Sequence, residues 1–311
     1  MNWLILVFIT VIFDSTRIFI DNYISDCYFK GHGAVSQKLF YGYAFIILAL
    51  VLMIIFGIDL GSFVPLLLFF LSGLMNSAAG IPYYRALELD DSTNLGIFIQ
   101  LAPVIYLIMG WFFLGETFSV LQLVAFAIIL SGPLLIVMTS RKRSRKIKIK
   151  AVFFAFLYVL IAVSANVLFV KENNATENLN FFTEMASVFL GKGIGNLIIM
   201  YSVPKWRRRF ISVMKSSRKK VLRPLFSSYL FGITKDFTYR AALFLAPSVA
   251  LASAASDSTT PIMIFFLGIV LTILWPKFGR EKLNKKSVLI HLIATVLVVI
   301  GIVLIQSQYV V

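Results

Sequence analysis

Cysteine, histidine and charge are scarce in this sequence. Over 311 residues there is one cysteine, Cys27, and there are two histidines, His32 and His291. A lone cysteine excludes an intramolecular disulfide and any cysteine-based metal cluster. Two histidines far apart leave little for a zinc or haem site, and no metal or cofactor is expected. Nucleotide chemistry is missing too: Gly191-Lys-Gly193 lacks the spacing of a phosphate loop and sits inside an apolar run. Nor does the chain carry paired histidines, a metal-binding acidic motif or a nucleophile beside a base. A membrane-embedded lipid-modifying enzyme is therefore the least favoured class, and the chain is read as not an enzyme.

Charged residues make up 14% of the chain and hydrophobic ones 59%, with a mean hydropathy of +0.91. A soluble domain is about a quarter charged. The apolar residues come in runs of roughly 17–25, the length that crosses about 30 Å of hydrocarbon as helix. They do not alternate as the strands of a membrane barrel would. Ten spans follow, at 3–26, 35–57, 63–87, 93–114, 118–139, 151–170, 181–203, 225–245, 248–275 and 287–306. The expected fold is an all-α integral membrane protein. Met1–Phe13 has no basic n-region and no small-residue cleavage site, so it reads as part of the first helix rather than a removable signal.

A formal charge of +15 invites a nucleic-acid reading, but its distribution argues against one. Arg141–Lys150 holds seven basic residues, Lys205–Arg223 nine and Lys277–Lys286 five, all between apolar spans. That pattern marks cytoplasmic loops of a multi-pass protein, expected in a plasma membrane with both termini outside. The stretch Pro204–Pro224 also places Trp206, Phe210 and Met214 four apart, which suits either a short surface helix on anionic lipid or a plain basic loop.

The basic stretch 141–150 is a linker between a first five-helix segment, 1–140, and a second, 151–311. The two resemble each other. Tyr84-Arg-Ala-Leu-Glu88 recurs as Tyr239-Arg-Ala-Ala-Leu243. Gln100 precedes Pro103 as Asp257 and Ser258 precede Pro261. Gly115-Glu-Thr117 is echoed by Gly279-Arg-Glu-Lys282, and Gly132 by Gly301. Five helices per copy force the second to enter the membrane inverted, an architecture tied to alternating-access transport.

The residues Tyr84-Arg-Ala-Leu87, Ala102-Pro103, Leu114-Gly-Glu-Thr117 and Ser131-Gly132 resemble the EamA-type repeat of the drug/metabolite transporter superfamily. The second copy departs from it, with Pro261 to Glu281 seven residues longer than Pro103 to Glu116. The resemblance implies a ten-helix carrier whose central cavity is lined mainly by helices 1, 3, 4, 6, 8 and 9. It does not fix a substrate.

Asp14 and Arg17 fall near the middle of the first span, and Lys235 and Asp236 near the middle of the eighth. A charge at a helix centre costs roughly 2.5–3.5 kcal/mol on insertion scales, so the four together would cost on the order of 10–14 kcal/mol in lipid. They must face one another, a partner or a wet cavity. Asp14, Arg17 and Asp21 share one helix face, and Asp236 and Arg240 share another. Glu184, Ser187, Gly191 and Gly195 form a polar and small stripe that reads as part of a pore wall. The candidate binding set is Asp14, Arg17, Tyr84, Gln100, Asn166, Glu184, Lys235, Asp236, Tyr239, Arg240 and Asp257. The cations suit a carboxylate or phosphate, and the acids a proton or a substrate amine. The competing reading is ion pairs that fix helix packing. Arg85 and Arg240 also lie near helix ends, where snorkelling to the interface is the alternative. Pro103 and Pro261 are candidate hinges, because each removes a helix hydrogen bond near mid-membrane. Glu116 and Glu281 read as caps.

The leading expectation is a secondary carrier that exports or exchanges a small polar metabolite such as an amino acid. The expected partners are that solute, the bilayer and a coupling proton or ion, with no nucleic acid. Flipping of a lipid-linked sugar or phosphate uses the same residue types and is the alternative. The small stretch Ala250–Ser256 suits packing within one chain or between two, so a homodimer stays open.

Overall fold

The structure, a computed structural model, describes residues 3–29, 36–57, 63–89, 101–140, 148–175, 179–274 and 285–307. Its elements are α1 (Trp3–Tyr28), α2 (Lys38–Phe56), α3 (Phe63–Leu89), α4 (Ala102–Met109, continued as a wider π turn over Gly110–Leu114) and α5 (Val120–Ser140). There follow α6 (Ile149–Ala175), α7 (Phe181–Ser202), α8 (Pro204–Leu245), α9 (Val249–Leu274) and α10 (Lys285–Ser307). No strand occurs among the described residues. Gln100, the acidic pair Asp90-Asp91, Glu281 and most of the basic linker 141–150 lie outside them.

Six of these helices are long and apolar enough to cross a bilayer, and three shorter apolar ones lie within α4, α5 and α10. Their outward surfaces are rich in large apolar side chains, for example Ile47, Leu50, Val51, Ile54 and Ile55 on α2 and Leu289, Leu292, Val296, Val299 and Val303 on α10. A soluble monomer does not expose continuous apolar belts of this kind. The chain is a multi-pass, all-helical membrane protein.

The eighth span is longer than expected. α8 runs for 42 residues, with one non-helical residue at Ser217 marking a kink, so the basic segment Lys205–Arg223 is helical. Arg and Lys are good helix formers. Trp206 packs with Leu39, Ile199 and Met200, and Phe210 and Met214 pack against Ile24, Phe29 and Val213. Most of the cations lie on the exposed side. The surface helix is thus seated on protein through its aromatic face.

The chain divides into two compact units. One comprises 1–16, 86–156 and 234–311; the other comprises 17–85 and 157–233. Each draws on both halves of the sequence, and α1, α3, α6 and α8 contribute to both units.

The first unit is built on α5 against α10. A Cβ at Gly132 would sit 2.9 Å from the Ala294 carbonyl oxygen, and one at Gly301 would sit 2.9 Å from that of Ala125. Each alanine lies seven positions before the glycine of its own helix, so the contact is reciprocal. The second unit is built on α2 against α7, where Gly42 and Gly193 each face the other's carbonyl oxygen, at 3.3 and 2.9 Å from an added Cβ. Helices 2 and 7, like 5 and 10, hold equivalent positions in the two halves. Self-complementary contact between equivalent elements is what a two-fold relation produces, and an inverted repeat supplies one.

Candidate functional site

In the first unit, α1, α4, α8 and α9 bring polar side chains together inside the spans. Asp257 sits in the middle of α9, and the Ser253 hydroxyl, one turn earlier, donates to its Oδ2 at 3.1 Å. Ser253 also lies within hydrogen-bonding reach of Tyr239, whose hydroxyl donates to that of Tyr106 at 3.3 Å. A line of hydroxyls therefore runs from Tyr106 on α4, through Tyr239 on α8, to Asp257 on α9. Lys235 pairs with its neighbour Asp236 at 3.7 Å, and its ammonium lies 5.3 Å from the centre of the Tyr239 ring. Lys235 and Asp14 are both close enough to Asp257 to interact with it electrostatically. Arg240, only 2% exposed, stands in the field of Asp236, Tyr106 and Tyr239. Snorkelling is therefore excluded for Arg240: it is held inside the unit. On the α1 side, Thr10 and Thr238 place their hydroxyl oxygens 2.7 Å apart.

The two prolines flank this line. Pro103 opens α4, one turn before Tyr106. Pro261 lies inside α9, four residues after Asp257. Having no N–H, it offers no helical donor to the Asp257 carbonyl.

The start of α9 is held by a distant carboxylate. Gly115 turns the chain with φ of 69°, which a glycine adopts without steric cost. Glu116 then reaches the first turn of α9, accepting from the Val249 N–H at 2.6 Å and from the Ser248 hydroxyl at 2.9 Å. Gly110 makes room for it, since a Cβ there would lie 2.3 Å from the carboxylate. Glu116 is thus a cap, as its sequence position indicates, but for a helix of the other half. Burial raises its carboxyl above the ordinary value, although the bonds from Val249 and Ser248 act the other way.

The second unit holds a different set. The Tyr41 hydroxyl on α2 lies within donating distance of three oxygens, Asp21 Oδ1 (3.0 Å), Gln37 Oε1 (3.1 Å) and Ser228 Oγ (2.9 Å), and Ser228 donates to Asp21. Arg17 lies close enough to Tyr41 and Tyr83 to act on both electrostatically. The Lys38 ammonium donates to the Ser77 carbonyl at 3.3 Å and to Asn196 Oδ1 at 3.2 Å. Asn166 is buried, as is Glu184 in the first turn of α7, where the helix dipole favours a negative charge. The Glu184 Oε2 atom has no hydrogen-bond partner among the described residues.

The α7 stripe is not a pore wall at its glycines. A Cβ on Gly191 would meet the Phe70 carbonyl oxygen at 2.0 Å, and one on Gly73 would meet that of Val188 at 2.0 Å. This is backbone-to-backbone packing of the kind small residues permit.

The expected site residues are therefore divided. Asp14, Lys235, Asp236, Tyr239, Arg240, Asp257, Pro103 and Pro261 belong to the first unit, and Arg17, Tyr84, Asn166 and Glu184 to the second. The side chain of Tyr84, like the whole of Gln100, lies outside the described residues. Sequence reasoning passed over Thr10, Tyr106 and Ser253. Each had a signal: Thr10 and Ser253 stand four residues before Asp14 and Asp257, on the same faces, and Tyr106 lies one turn after Pro103.

Comparison with known proteins bears on the same elements. Residues 30–138 match the model of the EamA-like transporter family. The chain is also similar to a protein of Sinorhizobium sp named "Uncharacterized transporter in cobO 3'region". The two are 36% identical over 66 residues, which make up 21% of this chain and 47% of that protein. The chain thus matches about half the length of this curated relative. A solved structure described only as "Crystal structure of protein" superposes with a TM-score of 0.65 at 11% identity, over 99% of this chain and 97% of its own. At that identity the likeness is one of fold.

Proposed function

From the match of residues 30–138 to the model of the EamA-like transporter family, we propose that this chain is a secondary carrier of the drug/metabolite type. It moves a small polar metabolite bearing both acidic and basic groups, such as an amino acid, by alternating access across the plasma membrane. The observation that carries the reading is the line Tyr106–Tyr239–Ser253–Asp257, with Lys235, Asp236 and Arg240 beside it, ending on α9, a helix long and apolar enough to cross a membrane. Polar groups at such depth are costly and are kept where a solute or ion must pass.

The charges narrow the solute. Asp257 lies in the field of Lys235 and Asp14, and Asp236 pairs with Lys235 and acts on Arg240. Asp257 is the acceptor we assign to a coupling proton or to the amine of the solute. Lys235 and Arg240 are the groups for the solute's carboxylate or phosphate. With no nucleotide motif, the energy source is an ion gradient, exchange or the solute's own gradient. The nine cations of Lys205–Arg223 favour the cytoplasmic side for that segment, which supports a reading with both termini outside.

A second reading, flipping of a lipid-linked sugar or phosphate, draws on one observation: an apolar groove between α1, α9 and α10. The test is profiling of metabolites and lipids in cells and medium with and without overexpression. Asp236→Asn and Asp257→Asn are the controls. One solute class should shift, and both variants should abolish the shift at equal protein level. A shift that survives both removes the site assignment, and a change confined to lipids removes the carrier reading in favour of flipping.

A further inference from the structure

The groove beside Pro261 has a chemistry of its own. It encloses about 360 Å³ between α1 (Leu4, Val7, Phe8), α9 (Thr259 to Phe266) and α10 (Thr295 to Ile302), all within the first unit. Its lining is apolar apart from Thr259 and Thr295, and both threonines turn their hydroxyls away. Thr259 donates to the Ala255 carbonyl at 2.7 Å, and Thr295 to that of His291 at 2.7 Å. Each therefore presents its methyl group. Nothing polar remains to hold water, a sugar or a headgroup.

We propose that this groove binds the acyl chain of a membrane phospholipid, laid along the Pro261 segment of α9. Four features point to that occupant. First, the groove is continuous with the lipid-facing surface, since Phe8, Phe266 and Val299 on its wall are about half exposed. Second, Thr259 and Thr295 lie near the middles of α9 and α10, at the depth of the hydrocarbon. Third, its size fits. An apolar cavity of about 150 Å³ takes up benzene, so 360 Å³ scales to roughly a dozen carbons, a substantial part of one chain. Fourth, an apolar cavity of this lining stays dry, and empty it would forfeit dispersion contacts along three helices. The chain would fill the flank of the one turn of α9 that Pro261 weakens, so a bound lipid braces this segment from the membrane side.

The test uses the full-length protein in nanodiscs containing a phosphatidylcholine with a diazirine near mid-chain. Illumination and peptide mass spectrometry read where the carbene inserts. Label should concentrate in Val7–Phe8, Met263–Phe266 and Val299, well above the exposed but ungrooved Ile54–Ile55 of α2. Met263→Trp and Val298→Trp each fill the groove. Either should lower labelling there about tenfold, a decade in affinity, while label at Ile54–Ile55 stays constant and thermal melting confirms the fold. Equal labelling of groove and α2 surface overturns the proposal. So does labelling that neither tryptophan changes, or a groove labelled by a free diazirine alkane and not by the phospholipid, which would make its occupant an apolar solute. Insertion reports binding directly, so its outcome is independent of whether any solute is carried.

Discussion

Helices α7 and α9 are both lined with small and polar residues, yet they are used in opposite ways. α7 has Gly191 and Gly193 against the backbones of its neighbours and Gly195 against the Ser77 side chain, and its polar groups, Glu184, Ser187, Lys192 and Asn196, are buried. No proline interrupts it. α9 has alanines and serines where α7 has glycines, carries Asp257 and Pro261, opens on a cap from Glu116 and borders an apolar groove. Polar residues within a glycine seam are fixed by close packing. Polar residues next to a proline lie where one helix hydrogen bond is missing. Residue type alone does not tell a helix packed through glycines from one that carries a line of polar side chains; what each touches does.

Four changes test this contrast, the largest effect first. Gly191→Ala should be severe, because its methyl meets the Phe70 carbonyl at 2.0 Å and two helices would have to separate. A loss of about 3 kcal/mol, read as lower melting temperature and folded yield in detergent, is expected. Tolerance of this change would mean the seam is looser than the contrast requires. Glu116→Ala should cost about 1–2 kcal/mol by removing the cap on α9.

Glu116→Gln separates charge from capping, because the amide oxygen still accepts from Val249. Burial holds the Glu116 carboxyl above its ordinary value, so the folded state binds this proton more tightly than the unfolded chain does. Its contribution is therefore fully present below about pH 4.5 and is lost as pH rises through the raised folded value. Melting temperature against pH should lose that slope in Glu116→Gln; an unchanged slope would assign it to another group. Tyr41→Phe, in the second unit, should cost only about 1 kcal/mol, since Ser228 still donates to Asp21. Chemical denaturation reads this, and solute movement should stay at the native level.

Much of the fold could be read directly. Runs such as 35–57 and 181–203 appear as α2 and α7 to within a few residues, because the hydrocarbon sets both length and composition. The matched glycines Gly132 and Gly301 were visible as a repeat and prove to be the reciprocal contact between α5 and α10. The site was legible only in part. Asp257, Lys235 and Asp236 stand out because a charge inside an apolar span is costly wherever it occurs. Tyr106 does not, since an aromatic residue in an apolar run looks like core until its hydroxyl finds Tyr239, 133 positions away.

By itself the sequence determined that the chain is all-helical and built of apolar runs, which of those runs carry charged residues, and where its helices fall to within a few residues. These are local properties, set by side-chain transfer between water and hydrocarbon. Only the tertiary structure decided that Glu116 caps α9, that Arg240 is buried rather than snorkelling, and that the glycines of α7 meet backbone instead of a pore. Those outcomes depend on the distance at which two remote backbones come to rest. That distance follows from packing all the helices together, which no single span encodes.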